Sequence, residues 1–273
     1  MHEAAVLKTI GQLRIGRKIR RLAEIPYMIQ FYLYRNFVFG FTNTKFDISY
    51  CVFRESFLED QYDIRKFIDR LAPCKELFFL DIGRNHGFVF YYMMFYLIKK
   101  NIRIPIINYY GIDPSPLKFV YFNFHEKLAK SGIHINYHII DRAVVFNDEP
   151  TVTLKYGEGN FGNFNVSGSN YEEKQAAVQS AYEYVEITVE TIRFSELLDI
   201  LERNSHSDAM IIKIDCKNRT DYMFTKFLNV LSGRSVNYLI SCERDGSSER
   251  DVSRYMKKGG GVLTVANIVS PKQ

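Results

Sequence analysis

Three acidic residues, Asp81, Asp113 and Asp141, each follow an apolar segment that has the length of a buried β-strand. The carboxyl ends of parallel strands meet at one edge of an open α/β sheet, where ligands bind. Any one of these acids could simply cap a helix or form a turn. Three of them at successive strand ends indicate a binding edge.

The first acid opens a turn that is rich in glycine. The chain reads Asp-Ile-Gly-Arg-Asn-His-Gly over residues 81–87, and an apolar-aromatic segment follows over residues 88–98. This pattern predicts a strand, a tight turn and a helix. Gly83 and Gly87 permit backbone angles and close approaches that a side chain would block. Free N–H groups at the start of the helix would face a ligand above the turn.

The spacing of this turn separates the candidate ligands. A dinucleotide-binding turn has Gly-x-Gly-x-x-Gly and a P-loop ends in Gly-Lys-Ser/Thr, and neither pattern is present. The remaining common ligand is S-adenosylmethionine, which carries an ammonium group, a carboxylate, a ribose diol and an adenine. Asp81 would supply a negative charge near the amino-acid end, and Asp113 would hold the ribose diol. Residues 141–143 would border the adenine.

A further buried strand over residues 209–214 leads to the first candidate for a general base. Transfer of a methyl group to a hydroxyl requires loss of the hydroxyl proton, so a base is expected within hydrogen-bond reach. Asp215 is the first candidate because it ends a central strand, and Glu243 and His86 follow. His86 could equally make a structural hydrogen bond, and Glu243 could be a simple turn acid. A metal ion shared by Asp215, Glu243 and Asp141 is disfavoured, because no closely spaced His/Asp pair supports it.

These residues require an alternating series of strands and helices to position them. Such alternation specifies a three-layer α/β domain with a mostly parallel sheet, here over residues 55–273. The helical segments are predicted at residues 55–71, 88–98, 116–130, 195–203, 221–231 and 249–257. A closing strand is predicted at residues 262–269.

Residues 1–54 differ in composition from the rest and are interpreted as a helical extension. Positions 8–21 hold six Lys and Arg residues and no acid, and positions 25–34 are rich in aromatic residues. The favoured interpretation is a helix whose apolar face packs on the domain. The alternative is peripheral membrane contact through residues 8–35, on an anionic surface.

Charge and cysteine content narrow the class of protein further. The net charge of +5 permits an anionic partner without demanding one. Four widely spaced cysteines without a C-x-x-C pair disfavour a disulfide framework or a zinc site. The start of the chain lacks the pattern of a signal peptide, and polar residues interrupt the most apolar stretch, so no spanning helix is expected. A cytoplasmic location follows, with association at the inner face of the membrane as the alternative.

Four segments in order resemble the FkbM-type methyltransferases. Residues 81–87 resemble the D-I-G-A-N-x-G motif, 111–116 resemble G-x-E-P-x-P, 141–144 resemble x-x-A-V, and 212–218 resemble I-K-I-D-x-E-G. The resemblance covers about residues 50–268. It implies a Rossmann-like class I methyltransferase fold, S-adenosylmethionine as cofactor, and methylation of a hydroxyl on a sugar, glycan or glycolipid-related substrate. The cofactor-binding residues would be Asp81, Gly83, Asn85, Gly87, Asp113, Pro114, Ser115, Asp141, Arg142 and Ala143.

The sequence departs from this family at several positions beside the predicted site. Arg84 replaces a small residue, Asp113 stands where Glu is usual, and Lys217 and Asn218 replace Glu-Gly. Arg84 and the Lys217-Asn218 pair keep open a non-catalytic cofactor- or glycan-binding protein on a methyltransferase scaffold. A nucleic-acid methyltransferase ranks lower, because no Asn/Asp-Pro-Pro-aromatic motif is present. A dehydrogenase is disfavoured by the missing third glycine.

Overall fold

The computed structural model describes most of the chain after residue 55. The described residues are 56–57, 60–71, 73–85, 87–114, 132–157, 165–166, 184–216, 220–231, 234, 236–244, 251–258, 261–263 and 268–269. The chain divides into two compact units, Met1–Arg54 and Glu55–Gln273, and all described residues lie in the second. The predicted extension over residues 1–54 therefore lies outside the described residues and stays a prediction.

The described part of the second unit contains both helices and strands. The helices are α1 (Ile64–Arg70), α2 (Phe88–Lys100), α3 (Phe194–Arg203) and α4 (Thr220–Leu231). The strands are β1 (Glu76–Ile82), β2 (Ile106–Ile112), β3 (His134–Ile140), β4 (Ala143–Val145), β5 (Thr151–Gly157), β6 (Asn165–Val166), β7 (Tyr184–Arg193), β8 (Ala209–Ile214), β9 (Asn237–Arg244), β10 (Asp251–Lys258), β11 (Gly261–Leu263) and β12 (Ile268–Val269).

The main sheet has the strand order β11-β10-β9-β8-β1-β2-β3, and β12 also pairs with β10. The five strands from β3 to β9 in this order are parallel, whereas β10 runs antiparallel to β9. The prediction of an α/β fold with a mostly parallel sheet is therefore confirmed. The strand order reverses between β1 and β8, because β2 and β3 lie on one side of β1 and β8 and β9 lie on the other. Ligands of open α/β sheets bind at the carboxyl edge beside such a point.

The central strands β1 and β8 are apolar along almost their whole length because helices cover both of their faces. On one face, Phe78 and Leu80 join a buried cluster with Leu201 of α3 and Phe227 of α4. On the other face, the ring of Phe79 lies 6.2 Å from that of Phe90 in α2. Packing on both faces fixes the positions of the ends of β1 and β8 relative to the helices.

A second sheet, with the order β4-β7-β5-β6, follows the third strand of the main sheet along the chain. Strand β4 pairs in parallel with the end of β7, from Ala143↔Thr191 to Val145↔Arg193. Strand β7 runs directly into α3, whose Phe194 is buried in the core. This sheet therefore connects the chain after Asp141 to the core of the domain.

Two helix predictions differ from the structure. Of the helix predicted over residues 55–71, the structure describes α1 and helical residues at 56–57, and between them Asp60 and Asp63 have left-handed φ angles of 49° and 55°, which interrupt a right-handed helix. The helix predicted over residues 249–257 is wrong. This segment is strand β10, and it pairs with β9 from Asp251↔Arg244 to Lys257↔Tyr238. The backbone groups along this edge of β9 gain hydrogen-bond partners, a tertiary effect that local propensity does not contain.

Candidate functional site

The carboxyl ends of four parallel strands are fastened to one another by backbone hydrogen bonds. Gly83 and Arg84, after β1, donate their N–H groups to the Ile112 oxygen of β2 at 2.8 and 3.2 Å. On the other side of β1, Asp215 N–H donates to the oxygen of Ile82 at 2.9 Å. Asp113 N–H donates to Ile140 at the end of β3 at 3.1 Å. The segments that follow these strands therefore form one continuous edge.

Gly83 is required by the end of β8. Its φ angle is +76°, a conformation that side chains disfavour, and a Cβ atom placed there would lie 1.8 Å from the carbonyl oxygen of Asp215. The backbone of Asp215, directly after β8, thus occupies the space that a side chain at position 83 would need. The glycine predicted to admit a ligand has, in the structure, a close protein neighbour.

Lys213 lies at the centre of the junction between β1 and β8. Its Nζ atom is 3.0 Å from Asp81 Oδ1, 3.4 Å from Asp215 Oδ2 and 2.5 Å from the oxygen of Gly83, to which it donates. The lysine is only 2 % exposed. Burial by itself would lower the pKa of this ammonium group, but the carboxylates of Asp81 and Asp215 raise it above its ordinary value. Lys213 is therefore a buried cation held between two anions.

Asp81 is completely buried beneath the turn. Its Oδ2 atom accepts a hydrogen bond from the hydroxyl of Tyr109 at 2.9 Å, and its Oδ1 atom faces Lys213. Burial and the negative charge of Asp81 raise the pKa of the Tyr109 hydroxyl well above its ordinary value, so this donor keeps its proton. In this structure the carboxylate of Asp81 contacts Tyr109 and Lys213 beneath the turn. Its direct contact with a cofactor stays a prediction.

Asp215 presents its side chain at the edge itself. The side chain is 38 % exposed, in contrast to the fully buried Asp81. Its Oδ2 atom accepts a hydrogen bond from the hydroxyl of Tyr62 at 2.8 Å and also faces Lys213. Asp215 is thus partly accessible on one side and held by two donors on the other, a suitable arrangement for a general base.

Arg84 crosses the end of β2 and reaches the end of β3. Its guanidinium group is buried, donates to the oxygen of Asn85 at 2.8 Å and forms a short ion pair with Asp141. The side chain passes over Gly111, where an added Cβ would lie 2.7 Å from Arg84 Cδ. The arginine at this unusual position therefore links the turn to the third of the predicted acids.

Asp113 and Asp141 differ in their accessibility at this edge. Asp113 is nearly buried, and its Oδ2 atom accepts the N–H of Asn85 at 2.7 Å. The side chain of Asp141 is 69 % exposed despite its ion pair with Arg84. Pro114 follows Asp113 and is half-buried. The structure thus brings Asp81, Asp113, Asp141 and Asp215 to one edge of the sheet.

The remaining predicted residues divide into three groups. Gly87 adopts a φ angle of 80° and precedes α2, so it lies in the turn as predicted. Arg142 pairs with the exposed Glu190 of β7 at 3.0 Å, and Ala143 is buried at the start of β4, so both have partners in the second sheet. His86, Ser115 and the side chain of Glu243 lie outside the described residues, as do Lys217 and Asn218.

Three site residues were not predicted from the sequence: Tyr62, Tyr109 and Lys213. Lys213 did leave a signal, because a lysine within an apolar strand must find a partner when it is buried. Tyr62 left none, since it lies 153 residues before Asp215, in a segment without a recognisable motif.

No family model, curated protein or solved structure matches this chain. Among the described residues, no group of three or more His, Cys, Asp or Glu side chains is arranged to hold a metal ion. Over the same part of the chain, every helix is too short or too polar to cross a membrane.

Proposed function

We propose that this protein binds S-adenosylmethionine at the carboxyl edge of its main sheet and methylates a hydroxyl of a sugar or glycolipid-related substrate. One observation carries the proposal. The described residues of the four segments that resemble the FkbM-type methyltransferases lie at the ends of four adjacent strands, β8, β1, β2 and β3, and the strand order reverses between β8 and β1. Gly83 and Lys213, which are 130 residues apart in sequence, are in direct hydrogen-bond contact. A Rossmann-like class I methyltransferase fold is compatible with this strand order.

The acids at this edge fit the functional groups of that cofactor. Asp113 would accept hydrogen bonds from a ribose diol, and the exposed carboxylate of Asp141 would accept one from the adenine amino group. Asp81 and Asp215, with Lys213 between them, leave one net negative charge near a sulfonium and an ammonium group. When bound, S-adenosylmethionine supplies a methyl group that its sulfonium centre activates for transfer.

Asp215 would accept the proton of the acceptor hydroxyl. Its partly exposed carboxylate lies next to the turn, and Tyr62 and Lys213 fix its position from the protein side. Alignment of the two reacting groups accounts for about 7–11 kcal/mol of barrier reduction in well-oriented systems. The protein's main contribution would therefore be to hold acceptor, base and methyl donor in register.

A non-catalytic binding protein on the same scaffold is the second candidate, and the contacts of the turn favour it. Arg84 pairs with Asp141, and the N–H of Asn85 is hydrogen-bonded to Asp113. Two of the acids that would bind the cofactor therefore already have partners within the protein. A measurement of methyl transfer to an acceptor separates this candidate from an enzyme.

Calorimetry on the full chain tests cofactor binding. We expect S-adenosylmethionine to bind and NAD not to bind. The Asp113→Ala variant should bind S-adenosylmethionine roughly 10- to 100-fold more weakly, because it loses charge-assisted hydrogen bonds. Asp199→Ala removes an exposed acid of α3 and should leave the affinity unchanged. No binding at millimolar S-adenosylmethionine would reject the proposal.

Transfer of an isotope-labelled methyl group to a panel of sugar and glycolipid acceptors tests catalysis. Labelled product that depends on Asp215 is expected from an O-methyltransferase. Tight binding of the cofactor without transfer to any acceptor would favour the non-catalytic candidate.

A further inference from the structure

We infer that Tyr62 and Lys213 are positioning residues that hold one oxygen of the Asp215 carboxylate and fasten this residue to the turn after β1. The role of Asp215 as a base rests on the proposed function. Its contacts with Tyr62 and Lys213 are independent of that function. Neither Tyr62 nor Lys213 is itself exposed at the edge, so neither is proposed to touch a substrate.

Both donors reach the same carboxylate atom. The Tyr62 hydroxyl lies 2.8 Å from Asp215 Oδ2, and the Lys213 ammonium group lies 3.4 Å from it. Tyr62 and Lys213 are buried, whereas Asp215 is partly exposed. The two donors therefore approach from the protein side and orient the carboxylate toward the edge.

The two donors are themselves held in place. Lys213 Nζ lies 5.3 Å from the centre of the Tyr62 ring, within the range of a cation–π contact. The same ammonium group binds Asp81 and the oxygen of Gly83. A displacement of the turn would move Lys213, and with it one of the two groups that hold Asp215.

Charged groups at the ends of three neighbouring strands act on Asp215, and the segment before α1 adds the neutral hydroxyl of Tyr62. Tyr62 and Lys213 favour its ionised form, whereas the negative charges of Asp81 on β1 and, farther away, Asp113 after β2 oppose it. Lys213 interacts with all three carboxylates. Removal of the Tyr62 hydroxyl therefore takes a hydrogen bond from Asp215 and leaves the charge balance unaltered.

The test measures the titration of Asp215 directly. Aspartate side chains are labelled with carbon-13 at the carboxyl carbon, and the Asp215→Asn variant identifies the Asp215 resonance. Tyr62→Phe is expected to raise the pKa of Asp215 by about one unit, because the ionised form loses a donor. Tyr96→Phe is the matched control, since it removes a tyrosine–aspartate hydrogen bond of 2.7 Å to Asp69, on a different aspartate. An Asp215 titration identical in Tyr62→Phe and the unmodified protein would overturn the proposal.

Lys213→Met provides a second variant with a larger expected effect. If circular dichroism shows that this variant folds, it should raise the pKa of Asp215 by more than Tyr62→Phe does. The Tyr62→Phe result decides the proposal even when Lys213→Met does not fold, because the tyrosine variant keeps every charge.

Enzyme kinetics test whether the hydrogen bond from Tyr62 to Asp215 affects turnover. Tyr62→Phe should lower kcat several-fold and leave the affinity for S-adenosylmethionine within about twofold. The pKa that governs the acid limb of the pH–rate profile should rise by about one unit, as in the titration of Asp215. A shifted titration with an unshifted pH–rate profile would overturn the role in positioning a base. Failure to bind S-adenosylmethionine would reject the proposed function alone, because the titration needs no cofactor.

Discussion

The contacts of a single lysine fix the positions of several residues at the carboxyl edge of this sheet. Lys213 has no exposed face, and three oxygen atoms from β1, its turn and the residue after β8 surround its ammonium group. A buried cation is stable only when its partners are charged and well placed. The positions of Asp81, Gly83 and Asp215 are therefore mutually dependent.

Gly83 offers a test of this dependence at the residue scale. Gly83→Ala should lower the free energy of unfolding by at least about 3 kcal/mol, because it combines a positive φ angle with a severe overlap at the carbonyl of Asp215. Urea denaturation monitored by circular dichroism provides the measurement.

Gly132→Ala is the matched control for this substitution. Gly132 also has a positive φ angle, of +73°, but nothing lies within 4 Å of its added Cβ. Its cost should be about 1–2 kcal/mol, from backbone conformation alone. Equal losses in the two variants would show that the overlap with β8 does not matter.

The acids at the edge were predictable from the sequence, but their relations were not. A carboxylate directly after an apolar strand has a fixed place in a parallel sheet, which located Asp113, Asp141 and Asp215. Which acid is buried and which is exposed depends on side chains that arrive from elsewhere, such as Tyr109 beneath Asp81. Tyr62 could not be predicted, because its contact with Asp215 depends on the path of the chain before α1.

At the scale of elements, local pattern predicted the central strands well and failed at the far edge of the sheet. Strands β1 and β8 are apolar except for Glu76 and Asp81 in β1 and Lys213 in β8, and such runs are typical of strands covered on both faces. Strand β10 has charged residues at both ends and no such run, and it pairs antiparallel with β9. Its conformation depends on the partner strand more than on its own composition.

Helix α3 lends itself to a test at this scale. Leu201 is fully buried in the cluster beneath β1 and β8, whereas the adjacent Glu202 is exposed. Leu201→Ala should lower the free energy of unfolding by about 2–5 kcal/mol through lost burial and a residual cavity. Glu202→Ala should change it by less than about 0.5 kcal/mol. Similar values for both variants in urea denaturation would contradict the packing of α3 against the sheet.

At the scale of the whole molecule, several buried groups make stability sensitive to alkaline pH. Burial raises the pKa of the Cys74 thiol to about 11 and that of Tyr109 well above its usual range. The folded protein keeps these protons at pH values where the unfolded chain has lost them. The contribution of these groups to stability should therefore be fully present below about pH 8 and be lost as the pH rises from about 9.

Urea denaturation at a series of pH values between 7 and 11 measures this effect. The stability curve should decline above pH 9, and Cys74→Ala should reduce the number of protons linked to unfolding by about one between pH 9 and 11. An unchanged pH dependence in Cys74→Ala would contradict the burial of the thiol.

The passage of Arg84 over Gly111 to Asp141 has a consequence for how this chain can change during evolution. Residue 111 has no room for a side chain because Arg84 and Tyr109 both lie within 3 Å of where its Cβ would stand, and Asp141 pairs with the buried guanidinium of Arg84. A homologue with a small residue at position 84 no longer needs a carboxylate at position 141, whereas Tyr109 would still exclude a side chain at position 111. Positions 84 and 141 should therefore be substituted together, as one inherited unit spread over two strand ends, and position 111 should stay glycine as long as position 109 is tyrosine.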